Sequence, residues 1–503
     1  MSPASSGQPR PAVAYALWLD SLTRAGWDAR PTAELVPVAD ALGRVTIEPI
    51  VARWASPRSD CSAMDGIAIR AAHLTLRSNV GLNDSDDPGH GNGPGDGSDR
   101  GEKGDGNAVR LRVGTFEWVD TGDPMPAGAD AVVMREWVLP QDDGSLIVVP
   151  GGLTAASADA TEGTDATEGT DATAAAARTG RAVKTGAAAA TRAADGKGAV
   201  GDPAGRMVAI ARGKNVRRAG EDFGAGELLI PAGRRLRPGD LAAAAAGGHP
   251  TVPVARSPLV AIIPTGDEIR PPGSIARPGE ILDTNSLMLA ARCRQLGAAP
   301  TVSEIQPDDP DALAAEIRRR AHDADLVLVI AGSSRGRGDH AAAVLAQVGG
   351  VAVTGVAVRP GHPALLGHAK HPGHGLRSAG IAPVIGLPGY PLAAAVIFEL
   401  FAAPLLLDVL QGVRRTAGPA LLATLDRDWS SPPGLEDWVL VTVAPAADAG
   451  APASLPVATP DRRGAGSISQ LARADAWWRI PADRTAYAAG TPIELLPLPN
   501  SPR

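Results

Sequence analysis

The chain has little cysteine and few aromatic residues. Only two cysteines occur, Cys61 and Cys293, and they lie far apart in the sequence. Two cysteines exclude a disulfide framework and a cysteine-rich zinc site, so a reducing compartment, most simply the cytoplasm, is expected. Aromatic residues make up 3% of the chain. Such a bias can follow from genome composition, and we draw no functional conclusion from it.

The chain also lacks a strong charge of either sign and a long uninterrupted apolar run. Its formal net charge is −7 and its pI about 5.8, which excludes a global attraction to nucleic acid or to an anionic membrane. No basic segment followed by an apolar stretch and a cleavage site begins the sequence, so we expect no signal peptide. The longest apolar stretch, residues 392–410, contains Glu399, Pro404 and Asp408. It predicts a buried helix.

With 503 residues the chain is too long for one hydrophobic core, and three or four domains are expected. Residues 260–410 follow the order β-α-β-α-β-α-β-β-α, which predicts one α/β domain of about 150 residues. Short strands and Pro/Gly turns follow, which predict a small all-β domain. Two stretches, residues 79–107 and 151–205, are rich in small and polar residues and are predicted to be disordered inserts.

Three strand-like runs between residues 324 and 391 each end in a loop rich in glycine and proline. Such loops, at the carboxyl ends of strands, form the ligand crevice of an open α/β sheet. Glycine lets backbone N–H groups approach a ligand, and the N-terminus of a following helix favours an anion. We interpret this stretch as the floor of a phosphate- or oxyanion-binding site.

Carboxylates accompany these loops. Asp267 and Glu268 follow one predicted strand and Asp339 follows another, so Mg²⁺ between the acids and a phosphate is one interpretation. The alternative, about equally supported by the residues alone, is that Asp339 caps its helix and Asp267 orders a turn. Asp308 and Asp309 are better explained as helix caps, and Asp65, alone, as part of a turn.

The spacing of the histidines in the sequence does not indicate a metal site. The segment from His368 to His374, which includes His371, carries no helix-borne ligand pattern, and we predict a solvated loop there. Arg359 could bind a phosphate through its guanidinium group. His340 and His362 lie next to the glycine-rich loops.

Seven segments, in order, resemble the molybdopterin molybdenumtransferases, the MoeA and gephyrin E-domain family. They are SAMDG from Ser62, TGDPMPAGADAVV from Thr121, NVRRAGED from Asn215, TGDE from Thr265, DTN from Asp283, GSSRGRGD from Gly332 and GLPGYP from Gly386. The resemblance as a whole runs from about residue 12 to residue 498.

The resemblance implies a multidomain α/β plus β architecture. It comprises an elongated dimerisation domain (residues 10–48 and 213–254) and an inserted β domain (49–212) that carries the two inserts. A molybdopterin-binding α/β domain with a doubly wound sheet (255–412) and a C-terminal β-barrel-like domain (413–499) complete it.

The resemblance also implies a reaction and its partners. Family members insert molybdate into the dithiolene of adenylylated molybdopterin, with Mg²⁺, and release AMP; tungstate is the alternative oxyanion. They are homodimers with the active site at the dimer interface, so Asp65 and Thr121 would serve the partner's crevice. Molybdopterin adenylyltransferase would be the upstream partner.

Matched position by position, the resemblance assigns three sets of residues. The catalytic set is Asp65, Thr121, Asp222, Glu268, Asp308 and Asp339. The Mg²⁺ set is Asp267, Glu268 and Asp339. The set that binds the pterin and molybdate is Gly332, Ser333, Ser334, Gly336, Arg359, Gly361, Pro388, Gly389 and Pro391.

The chain departs from the family pattern at several of these positions and looks like a divergent branch. The usual Lys-Pro-Gly-Lys-Pro is Arg359-Pro360-Gly361-His362-Pro363, which replaces two ammonium groups by a guanidinium and a titratable imidazole. The usual Gly-Asn-Pro is Gly389-Tyr390-Pro391. The altered basic pair suggests one alternative to an insertion enzyme, a non-catalytic carrier of the pterin or finished cofactor. The implied dimer and the predicted disordered inserts suggest another, a scaffold protein.

Overall fold

A computed structural model describes residues 7–28, 30–74, 109–148, 154–155, 208–331, 338–372, 380–414, 421–446, 455–461 and 464–498. The chain forms two compact units: a first unit of residues 1–53 and 226–503, and a second unit of residues 54–225. The predicted insert at 79–107 lies outside the described residues. So does the insert at 151–205, except Thr154–Ala155, which pair as a short strand with Val208–Ala209.

The second unit is built from short antiparallel strands around its own core. The strands are β3 (Cys61–Ser62), β4 (Gly66–Ile69), β5 (Val109–Leu111), β6 (Phe116–Val119), β7 (Ala131–Met134), β8 (Val138–Pro140), β9 (Leu146–Val148), β10 (Thr154–Ala155), β11 (Val208–Ala209) and β12 (Val216–Arg217). Strand β4 lies between β6 and β7, β9 lies between β5 and β8, and β12 pairs with β3. The core of this unit contains Ile67 and Ile69 from β4 and Val133 from β7.

Gly66 is required where β4 meets β7. A Cβ atom at this position would lie 2.0 Å from the carbonyl oxygen of Val133. Only glycine permits this approach of two backbones, and the approach fixes the position of the preceding residue, Asp65.

The first unit begins with helix α1 (Pro11–Arg24) and a small β region. That region contains β1 (Ala33–Pro37), β2 (Ile50–Val51), β13 (Leu228–Ile230), α2 (Pro238–Ala246) and β14 (Thr251–Ala255). Strand β1 pairs with β14 and β2 pairs with β13, both antiparallel. Val36, Ile50, Ile230 and Val254 form a separate small core between them.

The α/β domain of the first unit carries a six-stranded sheet. Its elements are β15 (Leu259–Pro264), β16 (Ile269–Arg270), β17 (Ile281–Leu282), α3 (Asn285–Gln295), β18 (Ala299–Val302), α4 (Pro310–Asp323), β19 (Leu326–Ala331), α5 (Gly338–Val348), β20 (Gly349–Thr354), β21 (Val358–Arg359), β22 (Leu365–Lys370), β23 (Ile381–Pro388) and α6 (Pro391–Ile397). The strand order is β18-β15-β19-β23-β22-β20. Strands β18, β15, β19 and β23 are parallel, whereas β22 is antiparallel to both of its neighbours.

Helices cover both faces of this sheet, as expected for a doubly wound fold. Helices α1, α3 and α6 pack on one face, where Trp18, Leu289 and Phe401 are buried. Helices α4 and α5 pack on the other face, where Ile317 and Leu345 are buried. Because the inner parallel strands β15, β19 and β23 are covered on both sides, their sequences are almost continuously apolar rather than alternating, whereas the edge strand β18 is partly exposed.

The predicted solvated loop at His368 is wrong. Leu365–Lys370 forms strand β22, which lies between β20 and β23, and His368 is only 8% exposed. His371, just after the strand, is also buried. Pairing on both edges with strands distant in sequence buries these residues, although the surrounding glycines and prolines are typical of a loop.

The apolar stretch after Pro391 is a buried helix, as predicted. Helix α6 continues in wider helical turns to Leu410, and Leu392, Val396, Phe401 and Leu405 are fully or almost fully buried. By length and composition, Pro391–Leu410 is the single helix in the described residues that could cross a membrane, but 61% of its most apolar window is buried inside the fold.

The C-terminal region is a closed five-stranded barrel. It contains β24 (Leu421–Leu425), β25 (Trp429–Ser430), β26 (Glu436–Ala444), β27 (Val457–Pro460), α7 (Ile468–Arg473), β28 (Ala476–Ile480), β29 (Ala486–Tyr487) and β30 (Pro492–Pro497). The barrel order is β26-β27-β24-β30-β28, and β28 pairs back with β26. Strand β21 of the α/β domain adds to β26 in parallel, so the segment that begins Arg359-Pro360-Gly361 starts at the barrel.

Candidate functional site

Asp65 and Thr121 form one hydrogen-bonded pair in the second unit. The Asp65 Oδ1 atom accepts from the Thr121 backbone N–H and from the Thr121 Oγ1 hydroxyl, both at 2.7 Å. These two hydrogen bonds lower the pKa of the exposed Asp65 carboxyl, and the bond from the backbone N–H has the larger effect. The side chain is therefore held as a fixed, solvent-facing anion.

The segment that contains Asp222 also lies in the second unit. Arg217 Nη2 is 3.3 Å from Asp222 Oδ2, and the Asp222 backbone N–H donates to the Ser56 carbonyl oxygen at 2.9 Å. Both side chains of this ion pair are exposed. The pair orders a charged turn and contributes little to stability.

Asp267 and Asp308 meet at the carboxyl edge of the α/β sheet. The Asp308 backbone N–H donates to Asp267 Oδ1 at 3.2 Å, which ties the loop after β15 to the start of α4. Asp309 is the residue that caps α4, because its Oδ1 accepts from the N–H groups of Asp311 and Ala312. Asp308 is thus left exposed beside Asp267 rather than used as the cap.

A cavity of about 240 Å³ lies next to Asp308, between the ends of β15 and β19. Thr265, Ala331, Asp308 and His340 line it. Thr265 is fixed there, since its Oγ1 donates to the Ile330 carbonyl oxygen at 2.9 Å. Asp339 is the second residue of α5, so its backbone lies in the first turn of a helix that follows β19. Its side chain and the predicted ligands Gly332, Ser333, Ser334 and Gly336 lie outside the described residues.

A larger cavity of about 370 Å³ lies between the α/β domain and the barrel. From the α/β domain it is lined by the predicted residues Arg359, Gly361 and Pro388, together with His362 and Tyr390. From the barrel it is lined by Trp438, Leu440 and Asp461, among others. One guanidinium, one imidazole, the amide of Gln470 and the two carboxylates of Asp437 and Asp461 thus line the cavity together with apolar side chains, a composition that suits a small-molecule site.

Asn285 anchors the loop that carries Gly389. Its Nδ2 donates to the Gly389 carbonyl oxygen at 2.8 Å, so the first residue of α3 holds the segment that leads into α6. Asp283, and not Asn285, caps α3: its Oδ1 accepts from the Ser286 N–H at 3.0 Å. Pro391 begins α6, where a missing N–H is tolerated.

Family models match three consecutive stretches of this chain. They are the MoeA N-terminal region (domain I and II) at residues 12–248, a probable molybdopterin binding domain at 261–408 and the MoeA C-terminal region (domain IV) at 423–498. Molybdopterin molybdenumtransferase 2 from Mycobacterium tuberculosis (strain CDC 1551 / Oshkosh) is 33% identical over 482 residues, which cover 92% of this chain and 94% of that relative. The chain belongs to the molybdopterin molybdenumtransferase family.

Other relatives agree with this membership. The molybdopterin molybdenumtransferase from Haemophilus influenzae is 25% identical over 390 residues, which cover 77% of this chain and 75% of the relative. A crystal structure of the molybdopterin biosynthesis MoeA protein from Pyrococcus horikosii has a TM-score of 0.66 at 23% identity and covers 98% of this chain and 99% of its own. This last likeness concerns the fold alone.

The molybdenumtransferase residues predicted from the sequence fall into three local groups. Asp65, Thr121 and Asp222 lie in the second unit. Asp267, Glu268 and Asp308 lie at the carboxyl edge of the sheet, and Arg359, Gly361 and Pro388 line the larger cavity. Sequence reasoning missed the barrel residues Trp438 and Asp461, which lie in no recognisable motif. Asn285 was noted only as part of the DTN segment, and its hydrogen bond to Gly389 was not foreseen.

The acids at the sheet edge fit Mg²⁺ in their chemistry. In the described residues no three carboxylate, histidine or cysteine side chains converge on one point. Mg²⁺, however, is commonly held by one or two carboxylates together with substrate phosphates. The exposed Asp267 and the half-buried Glu268 offer such hard oxygen donors at an edge open to a ligand.

Proposed function

We propose that this chain inserts molybdate into adenylylated molybdopterin and releases AMP. The observation that supports it most is the cavity where Arg359, Gly361 and Pro388 meet the barrel, in a chain that matches molybdenumtransferases over nearly its full length. Such a cavity offers a cation for an anionic substrate and apolar walls for a ring. The proposed cellular setting is the cytoplasm, with a molybdopterin adenylyltransferase supplying the substrate.

Each local group has a role in this proposal. Arg359 binds an anionic part of the substrate through its forked N–H donors, and Gly361 and Pro388 shape the wall beside it. Asp267, Glu268 and Asp308 lie on the side of the phosphoanhydride, where bound Mg²⁺ would neutralise charge on the phosphate oxygens. Asp339, at the start of α5, belongs with them. The glycine-rich segment Gly332 to Gly336 is assigned to the pterin phosphate by the resemblance alone.

The assembly in this proposal is a homodimer with the active site at the dimer interface. Asp65, Thr121 and Asp222 are assigned to the same reaction by their match to the family motifs. The fixed Asp65 carboxylate supports this role, since a pre-oriented anion can position a metal-bound or cationic group without reorganising.

AMP release tests the proposal. Purified protein is incubated with adenylylated molybdopterin and Mg²⁺, and AMP is quantified without oxyanion, with molybdate and with tungstate. We expect release that depends on one oxyanion and falls by about a hundredfold or more in Asp339→Ala. Asp20→Asn, a change of an exposed carboxylate on α1, is the matched control and should behave as wild type.

Other results would favour the other two functions. Tight pterin binding with no AMP release under any oxyanion would contradict the enzyme and indicate a carrier. Unchanged AMP release together with loss of partner capture on deletion of residues 151–205 would add a scaffold role. Failure of both binding and release would contradict the enzyme and the carrier alike.

A further inference from the structure

The larger cavity contains an aromatic side chain that the motif comparison alone does not explain. Tyr390 lies at its rim and is 52% exposed. Exposing a tyrosine ring forfeits the favourable burial of a large apolar surface. An exposed aromatic ring on a cavity wall is therefore a candidate contact for a ligand.

The backbone around Tyr390 is fixed from three directions. Its predecessor Gly389 accepts the hydrogen bond from Asn285. Its own carbonyl oxygen accepts from the Ala394 N–H at 2.9 Å, and the Leu392 N–H donates to the Ala465 carbonyl oxygen at 3.1 Å. The ring is thus presented from a rigid segment, which lowers the entropy lost when a ligand binds.

One part of the ring already has a neighbour. Gly466 lies against it, because a Cβ atom there would be 3.4 Å from Tyr390 Cδ1 and 3.7 Å from Cε1. The barrel segment therefore lies beside the ring at a distance close to van der Waals contact and supports it from that side. The exposed remainder of the ring is available for offset stacking with a planar ligand.

A second wall of the cavity carries the carboxylate of Asp461. Asp461 lies between β27 and the segment that reaches Gly466, and its backbone N–H donates to the Leu440 carbonyl oxygen at 2.9 Å. Within the described residues its carboxylate accepts no hydrogen bond, and its negative charge helps to raise the pKa of the Arg427 guanidinium in the same barrel. A half-buried carboxylate repels an oxyanion and attracts N–H donors, ideally two side by side.

We propose that Tyr390 and Asp461 form the subsite for the pterin ring of the substrate: Tyr390 stacks on the ring, and Asp461 accepts from its 2-amino and N3–H groups. This assignment rests on the proposed function and deepens it. The amino-pyrimidinone edge offers the paired donors that a carboxylate binds in the forked manner of a guanidinium. The anionic remainder of the substrate then lies toward Arg359, which lines the same cavity.

Binding of the fluorescent probe 6-hydroxymethylpterin tests the subsite. Stacking on Tyr390 should quench the probe in wild type, and Tyr390→Phe should bind within about twofold because the ring is retained. Tyr390→Leu should bind about tenfold more weakly, with little quenching. Asp461→Asn should also bind about tenfold more weakly, while Asp483→Asn, an exposed carboxylate of the same barrel, should leave affinity unchanged.

The analogue 6-hydroxymethyllumazine, which has a carbonyl in place of the 2-amino group, separates the two contacts. The loss of affinity caused by Asp461→Asn should disappear when the lumazine is the ligand, whereas the loss of affinity caused by Tyr390→Leu should persist. The subsite would be overturned if Asp461→Asn lost the same affinity for the pterin and for the lumazine. Unchanged binding and quenching in Tyr390→Leu would overturn it as well.

The same variants distinguish the subsite from the function. In the AMP-release assay we expect Tyr390→Leu and Asp461→Asn to raise KM for adenylylated molybdopterin by about tenfold, with a smaller change in kcat. A wild type that releases AMP while neither variant changes KM overturns the subsite alone. A wild type that binds the probe with these dependences but releases no AMP overturns the function and leaves the subsite standing.

Discussion

At the scale of single residues, the best-defined interaction is that of the Asp65 carboxylate with Thr121. One oxygen receives two hydrogen bonds from a single residue, through the backbone N–H and the side-chain hydroxyl. Both bonds favour the charged form, so the pKa is lowered although the group is exposed. The favourable interaction of the charged form is present above the ordinary carboxyl pKa and is lost as pH falls through the lowered folded value.

Thr121→Val should raise the pKa of Asp65 toward its ordinary value without reaching it. The substitution removes the hydroxyl donor but keeps the shape of the side chain and the backbone N–H. The measurement is an NMR titration of the aspartate carboxyl carbons. A pKa that does not move would show that the hydroxyl does not act on Asp65.

Asp143 supplies an internal control for this titration. Its pKa is lowered in the same manner by the side chain and backbone of Ser145. It should remain lowered in Thr121→Val and rise only in Ser145→Ala. A shift of both groups in either variant would indicate a general change in the unit rather than the loss of one donor.

At the scale of elements, helix α1 depends on its packing against β22. Its buried positions Ala14, Trp18 and Leu22 recur every four residues and form one stripe. Trp18 is fully buried, and its Nε1 donates to the Gly367 carbonyl oxygen of β22 at 2.7 Å. A residue near the start of the chain thus provides the hydrogen-bond donor for a strand carbonyl group more than three hundred residues away.

Trp18→Ala should lower the free energy of unfolding by about 3–5 kcal/mol, because it leaves a cavity against the sheet. Trp18→Phe should lower it by about 1–3 kcal/mol, since much of the packing remains but the Gly367 acceptor loses its donor. Urea denaturation followed by circular dichroism measures both. Leu17→Ala, at a 45% exposed position of the same helix, should change stability by less than about 1 kcal/mol. Equal losses at positions 17 and 18 would contradict the packing described.

Strand β22 also places a titratable group in the sheet. Burial, and after it the charge of Lys370, lowers the pKa of His368. The folded state therefore keeps this imidazole neutral at a pH where the unfolded chain binds a proton. Stability must then fall as pH drops below about 6.5, until the lowered folded pKa is reached.

His368→Gln should flatten this acid dependence. Just below pH 6.5, the slope of the free energy of unfolding against pH should decrease by up to about 1.4 kcal/mol per pH unit. Denaturation midpoints measured from pH 5 to 8 give the slope. His322→Gln, a change at an exposed histidine at the end of α4, should retain it. A slope unaltered by His368→Gln would mean that other groups cause the dependence.

At the scale of the whole molecule, the two units have separate cores. The clusters around Ile67 and around Val132 draw only on residues of the second unit, and the other clusters only on residues of the first. The first unit is interrupted where its two chain segments lie side by side. The Gly226 N–H donates to the Ala52 carbonyl oxygen and the Ala52 N–H donates to the Glu227 carbonyl oxygen, both at 2.8 Å.

Replacing residues 54–225 by a short Gly-Ser linker should leave the first unit folded. The ends to be joined are already neighbours, and no core residue of the first unit is removed. Cooperative thermal unfolding and a retained near-ultraviolet tryptophan signal are the expected results. Deletion of residues 30–53 is the contrasting variant. It removes strands β1 and β2, which pair with β14 and β13, and should lose the small core that contains Val36 and Ile50. A shortened protein that unfolds without cooperativity would show that the units stabilise one another.

The sequence by itself determined the elements that local forces specify. Helix α1 forms at Pro11–Arg24, where the apolar stripe has a helical spacing that is visible in the sequence. The cap at Asp309 and the proline after it follow from local hydrogen bonding. The seven motifs also determined the family and the barrel-like C-terminal region, because sequence similarity carries the fold of its relatives.

Only the tertiary structure decided which distant residues meet. Strand β22 was missed because its burial comes from β20 and β23, and its own residues resemble a loop. Asp308 was expected as a cap from the residues alone, yet it lies exposed beside Asp267 while its neighbour takes that role. Arg359 and Asp461 share one cavity although about a hundred residues separate them. Periodicity and capping report on contacts within a few residues, whereas a cavity forms where separate elements pack, and its lining is a property of that packing.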